Sequence, residues 1–186
     1  MKDEQLLIEQ ALSGSETAFE KLVRTYMRDV YYTSLSIVRD HFDADDVTQN
    51  TFVRCFTKLG TFNGASSFKT WLLRITINLS RDCLRKRNRT KTIPAGEYVE
   101  AASENTPNAE QQMSTFQDSK LIETALDSLS ERQRIVVSLR LKQELSFSEI
   151  AELLQITTGN AKTTFHYGVK RIIKECERKR FIEEGV

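Results

Sequence analysis

Apolar residues recur at three- and four-residue spacing through two long blocks of this chain. Both of its prolines, Pro94 and Pro107, fall in the aperiodic polar stretch between those blocks. Such spacing is the mark of helices that bury one face. With 7 glycines and 2 prolines in 186 residues, there is little material for the turns of a many-stranded β fold. The expected fold class is all-α: two small helical domains, residues 1–90 and 116–186, joined by a flexible linker over 91–115. As free coil such a linker averages ~30 Å end to end, and fully extended it reaches ~100 Å.

The spacing predicts a first helix over about 17–38, with Thr17 and Glu20 as a capping box. A second is expected from Asp43, as N-cap, to Leu59, with Gly60 as its stop. A third covers about 68–87. Beyond the linker, helices are expected over 116–129, after Ser130 (with Gln133), after Ser146 (with Glu149), and over about 158–180.

The 27 basic and 26 acidic side chains nearly cancel, but they are segregated. Residues 1–53 carry a net charge of −5, 81–91 of +5, and 162–180 of +5, while 97–118 hold five acids and no base. Two basic patches separated by an acidic stretch suit two contacts with a polyanion. No apolar run approaches the roughly 18 residues of a membrane span, and the polar N-terminus lacks a signal-peptide core, so a cytoplasmic protein is expected. Cys55, Cys83 and Cys176 are odd in number and form no C-x-x-C pair, which predicts reduced thiols and no metal. His41 and His166 lie far apart, and neither a phosphate-binding glycine loop nor a nucleophile motif is visible. No enzyme, cofactor or small-molecule substrate is expected.

Two segments carry chemistry. In the third helix Phe68, Leu72, Ile75, Leu79 and Cys83 form an apolar stripe, and Arg74, Asn78, Arg81 and Arg85 form a line nearly opposite. Three like charges on one line repel, so a bound anion would stabilise them. Trp71 and the loop before the helix would receive unstacked bases while the arginines track the strand. The second segment, residues 145–172, has helix-turn-helix spacing, with Ala151 at the crossing and Ile156 plugging a turn that carries Gln155 in place of the usual Gly. On its second helix Ala161, Phe165, Gly168 and Ile172 face inward. Asn160, Thr163, Thr164, Tyr167, Arg171 and Lys174 face outward, with Lys162 on the flank, suiting base edges near the helix start and phosphates further along.

The strings F-D-A-D-D-V-T-Q-N-T-F-V-R-C-F (42–56) and S-S-F-K-T-W-L-L-R-I-T-I-N-L-S-R-D-C-L-R-K-R (66–87), followed by the helix-turn-helix, resemble bacterial RNA polymerase sigma factors. The closest type is the small extracytoplasmic-function (ECF) class of the sigma-70 family, which keeps only regions 2 and 4. The resemblance implies a subunit that directs core RNA polymerase to promoters. Asp45, Asp46, Gln49, Phe52 and Arg54 would dock on the β′ clamp helices, with the β flap as a second polymerase contact. Asn63, Ser67, Phe68, Thr70, Arg74, Asn78, Arg81 and Arg85 would recognise and melt the −10 element. Asn160, Lys162, Thr163, Thr164, Tyr167 and Arg171 would read −35. An anti-sigma factor that covers both surfaces is also implied.

In such proteins the two promoter elements lie about two duplex turns apart, roughly 70 Å. An extended linker spans that distance and a relaxed one does not. A free chain can instead be compact, with its DNA faces hidden. Three departures stand out: Asn50 replaces the usual Glu, Thr164 and Tyr167 replace common basic residues, and Ala161 replaces a larger apolar one. Two other readings stay open, a sigma-like decoy that sequesters an anti-sigma factor and a plain helix-turn-helix regulator. A metal-dependent nuclease built on Asp43, Asp45 and Asp46 is a remote third, since these acids read more simply as a helix N-terminus.

Overall fold

A computed structural model describes residues 2–91 and 125–183. The first block folds as α1 (Lys2–Leu12), α2 (Glu16–Val38), α3 (His41–Lys58), a 3₁₀ turn (Leu59–Thr61) and α4 (Phe68–Lys91). After a helical turn at 125–127 come α5 (Glu131–Leu141), α6 (Phe147–Leu154) and α7 (Thr158–Glu183). The described residues contain no strand. The expected linker, and all of the expected 116–129 helix before residue 125, lie outside them.

Helix α1 has no counterpart in the sequence expectations. Its inward positions are few, with Ile8 and Ala11 buried against α2, and its strongly acidic start masks the pattern. The expected caps of α2 and α3 need correction. Helix α2 starts at Ser15, whose hydroxyl accepts the Ala18 N–H at 3.3 Å, leaving Thr17 inside the first turn. Helix α3 starts at Asp40, whose carboxylate accepts the Asp43 N–H at 2.8 Å. That frees Asp43 to pair with Arg87 at 2.9 Å. Gly60 is not a left-handed stop either. The helix tightens into the 3₁₀ turn, and the Phe62 N–H returns to the Leu59 carbonyl at 3.0 Å.

Both expected capping boxes of the second block are present, Ser130 with Gln133 and Ser146 with Glu149. Buried Arg134 fastens the turn before α5, donating to the carbonyls of Leu126 at 3.2 Å and Leu129 at 2.8 Å. In this way a buried charge spends its donors on carbonyls at the end of the preceding turn, sharing that of Leu126 with the Leu129 N–H.

Among the described residues the packing forms three apolar clusters. One lies within the first block, where Ile8, Ala18, Leu22, Val30, Phe52, Cys55, Phe68 and Leu72 meet. A smaller one joins Val38, Ala44 and Val47. The third is shared: Ile37 of α2 and Leu73 and Ile77 of α4 pack with Ile135, Val136, Leu139, Leu145, Ile150, Ala151, Leu153 and Ala161. Helix α5 is therefore sandwiched between α2 and α7.

The α5–α7 crossing depends on Gly168, where an added Cβ would stand 2.8 Å from Val137 Cγ2 and 3.6 Å from Gln133 Cβ. Val137 is stiff about χ1 and cannot swing aside freely. Gly168→Leu should lower stability by about 1–3 kcal/mol, read as a fall in Tm. The α6 capping box adds a pH signature. Hydrogen bonds from the Ser146 side chain and backbone N–H hold the Glu149 carboxyl below its ordinary value. Its contribution is complete above the ordinary carboxylate range and is lost as pH falls through the lowered value. In acid unfolding curves, Glu149→Gln should keep the cap and flatten this pH dependence.

Candidate nucleic-acid interface

The loop before α4 is built by short polar contacts around a fixed aromatic floor. Asn63 Oδ1 accepts the Ala65 N–H at 3.1 Å, bending the chain through Gly64, whose φ of 73° favours glycine. Ser67 caps α4, accepting the Thr70 N–H at 3.1 Å and sharing a hydrogen bond with the Thr70 hydroxyl at 2.8 Å. Below them Phe62, Phe68 and Trp71 meet pairwise, edge-on or tilted, with centroids 5.5–5.7 Å apart, and Tyr26 closes on Phe68 at 5.4 Å. Asn63 and Ser67 are exposed, whereas Phe68 and Thr70 are each only 2 % exposed. Of the expected −10 residues in this segment, these two shape the loop from inside and present no side chain to a strand.

The arginine line along α4 forms as expected, but two of its members do not simply face water. Arg74 Nη2 lies 2.9 Å from Glu152 of α6, and Arg81 Nε lies 3.9 Å from Glu131 of α5. Arg85 pairs with Asp82 on its own helix, and Asn78 is exposed. Arg87, from the basic run, is spent on structure through Asp43 and the Val38 carbonyl at 3.1 Å. The Arg74 and Arg81 pairs are about half exposed, so each is worth only ~0.2–1 kcal/mol and weakens with salt.

On α3, Asp45, Asp46, Gln49 and Arg54 share the solvent side. Phe52 does not join them: it is 8 % exposed and packs into the first-block core. Its neighbours Val53 and Phe56 stand out instead, at 64 % and 59 % exposure, and Phe56 meets Phe19 edge-on. Sequence reading missed both: Val53 lies about 100° around the helix from buried Phe52, but Phe56 lies only about 40° from it, so spacing alone sets Phe56 at the edge of the buried face. Asn50, which replaces the usual Glu, donates its amide to the Asp46 carbonyl at 2.8 Å.

The helix-turn-helix is formed by α6 and α7. Gln155 adopts the left-handed conformation (φ 55°) that Gly would supply without strain, and the Ile156 N–H reaches the Ala151 carbonyl at 2.9 Å. Thr157 caps α7 by accepting the Asn160 N–H at 3.1 Å. Ala161 is wholly buried, Phe165 meets Phe147 at 5.5 Å, and Gly168 lies against α5. Asn160, Lys162, Thr163, Tyr167 and Arg171 are exposed along the outer face. Thr164 is half-buried and donates to Asn160 Oδ1 at 3.1 Å.

The cysteines are free thiols; burial pushes Cys55 up to about 12, and Cys83 is also raised, chiefly by burial. Among the described residues, no group of His, Cys, Asp and Glu could hold a metal ion, and no helix is long and apolar enough to cross a membrane.

A helix-turn-helix with an open reading face, preceded by an arginine-bearing helix headed by a polar loop on an aromatic floor, is the arrangement of a nucleic-acid-binding protein. Residues 22–90 match the family model for Sigma-70 region 2, and residues 119–172 that for Sigma-70, region 4. The ECF RNA polymerase sigma factor SigX of Bacillus subtilis is 30% identical over 168 residues, covering 89% of this chain and 87% of SigX. SigW of the same organism is 28% identical over 181 residues, covering 90% of this chain and 94% of SigW. Among solved structures, RpoE of Bartonella quintana, bound to the anti-sigma factor NepR, shares the fold with a TM-score of 0.72 at 21% identity, covering 86% of this chain and 96% of RpoE. The chain belongs to the ECF family of RNA polymerase sigma factors, promoter-specificity subunits for transcription initiation.

The outer face of α7 yields a direct expectation. If Arg171 bears on a phosphate, Arg171→Ala should weaken duplex binding across sequences and reduce the salt slope of log K by about 1, measured by fluorescence anisotropy.

Proposed function

We propose that residues 1–90 dock on core polymerase and handle the −10 element, that 91–115 connect the two units, and that 116–186 read −35. The observation that carries this reading is the pairing, in one chain and in family order, of the α4 arginine line with an exposed helix-turn-helix face. Asp45, Asp46, Gln49 and Arg54, joined by exposed Val53 and Phe56, form the clamp-helix contact. This surface is acidic with an apolar centre, which suits a helical partner with a basic rim. Asn63 and Ser67 meet the extruded strand, while Arg74, Asn78, Arg81 and Arg85 follow its backbone. Asn160, Thr163, Thr164 and Tyr167 face base edges, and Lys162 and Arg171 the phosphates.

The protein works in the cytoplasm, as polymerase does, and contributes no catalysis of its own. An anti-sigma factor holds it inactive. Support comes from the neighbours RpoE and CnrH, whose solved structures are complexes with NepR and with the cytosolic domain of CnrY.

Transcription in vitro with the purified chain, bacterial core polymerase and fragmented genomic DNA tests this directly. Discrete starts sharing −35 and −10 elements are expected, and absence of both starts and core binding would overturn the reading in favour of a decoy or plain regulator. Arg74→Ala with Arg81→Ala should reduce open-complex formation, read by permanganate footprinting, without loss of core binding. Val53→Asp with Phe56→Ser should do the reverse, weakening core binding at least about tenfold on a native gel, since a central apolar contact is replaced by charge.

A further inference from the structure

We propose that this sigma factor inhibits its own −10 face: Glu152 and Glu131 occupy Arg74 and Arg81 in the place of the promoter strand, across a seam that opens reversibly. The inference rests on the assignment of those arginines to the strand made above.

Three observations carry it. The first is placement. Arg74 and Arg81 are both paired across the seam, Arg74 at 2.9 Å and Arg81 at 3.9 Å, by carboxylates of two different helices, α6 and α5. Arg39 at the end of α2 likewise pairs with Asp127 before α5. The Glu152 carboxylate takes an Arg74 donor that a phosphate would take, and Glu131, outside hydrogen-bond reach of Arg81, opposes a phosphate there by its charge.

The second observation is that the seam, apolar at its centre where Ile37, Leu73 and Ile77 enter the shared core, also buries polar groups that it leaves unpaired. On α2, Asp29, Thr33 and Ile37 lie on one face at four-residue spacing. The Asp29 carbonyl accepts from Gln143 at 3.3 Å, and Ile37 enters the shared core. Thr33 Oγ1 between them is buried without a hydrogen-bond partner among the described residues, as are Ser138 Oγ and Gln143 Oε1 on the opposing side. Each loses hydration on closure and regains it on opening. Nearby, Lys142 lies over the Tyr32 ring at 5.1 Å, a contact open to solvent.

The third is asymmetry. The outer face of α7 is exposed in the same arrangement, so closure covers one DNA element and leaves the other available. A duplex held by α7 brings its own phosphates to a chain whose second face is held shut at the rim of the seam by exposed ion pairs.

The test uses the full chain and a labelled 12-nucleotide single strand of mixed sequence, followed by anisotropy at low salt without polymerase. Glu131→Gln with Glu152→Gln should bind roughly three- to tenfold more tightly than the unsubstituted chain. Glu9→Gln with Glu20→Gln removes the same charge away from the seam and should change affinity less than about twofold. Adding Arg74→Ala and Arg81→Ala to the Glu131/Glu152 variant should abolish the gain. An equal gain in the control, no gain, or a gain that survives loss of the arginines would each overturn the latch. The polymerase assay above reads the sigma assignment separately: starts without an affinity gain sink the latch alone. Failure of starts and of core binding sinks the assignment, while the arginine cancellation still reports on the seam.

Discussion

The arrangement depends on one apolar contact. Ile37, Leu73 and Ile77 of the first block close the core of the second, which by itself is three helices and a turn. A unit of that size buries a small fraction of its surface and is marginal alone. Borrowing three side chains from α2 and α4 gives α5 a second wall opposite α7. It also fixes which faces meet, because Leu73 and Arg74 are successive residues of one helix. Burying the first brings the second to the edge of the seam, beside Glu152.

Much of this was legible in the sequence. The capping boxes at Ser130 and Ser146, the turn at Gln155, and the inward set Ala161, Phe165 and Gly168 follow from local chemistry, and local chemistry is what one sequence displays. The errors were also local. Ser15 and Asp40 stand further ahead of the apolar pattern than Thr17 and Asp43, which carry the same cap chemistry. For the candidate site, residue type was read more easily than direction. Phe52 belongs to the core while Val53 and Phe56 emerge, since α3 is amphipathic over an arc that a few apolar residues do not define. What the sequence could not display was the seam itself. The Arg74–Glu152 pair joins residues 78 positions apart, and no spacing rule connects them.

Charge in this protein does double duty. The +5 run at 81–91 reads as a basic patch, yet Arg81, Arg85 and Arg87 all have acidic partners, and Arg87 also fastens α4 to the end of α2. Arg134 is more fully committed, being buried and bound to two carbonyls, with its pKa lowered chiefly by desolvation. A count of basic residues therefore overstates what is available to nucleic acid, and exposure with pairing gives the better measure.

The left-handed Gln155 has a mechanical consequence. No glycine hinge sets the angle between α6 and α7; the strained backbone is held there by Ile156 below it and Thr157 beyond it. Helix α7 leaves that pivot as a rigid rod of 26 residues, ~39 Å long at 1.5 Å per residue. Arg171 stands about 20 Å along it, so a 10° error at the pivot would shift that side chain by about 3.5 Å, close to one nucleotide step. A stiff joint at the turn thus works as an alignment stop, keeping the far end of the rod in register with the groove that its near end has entered.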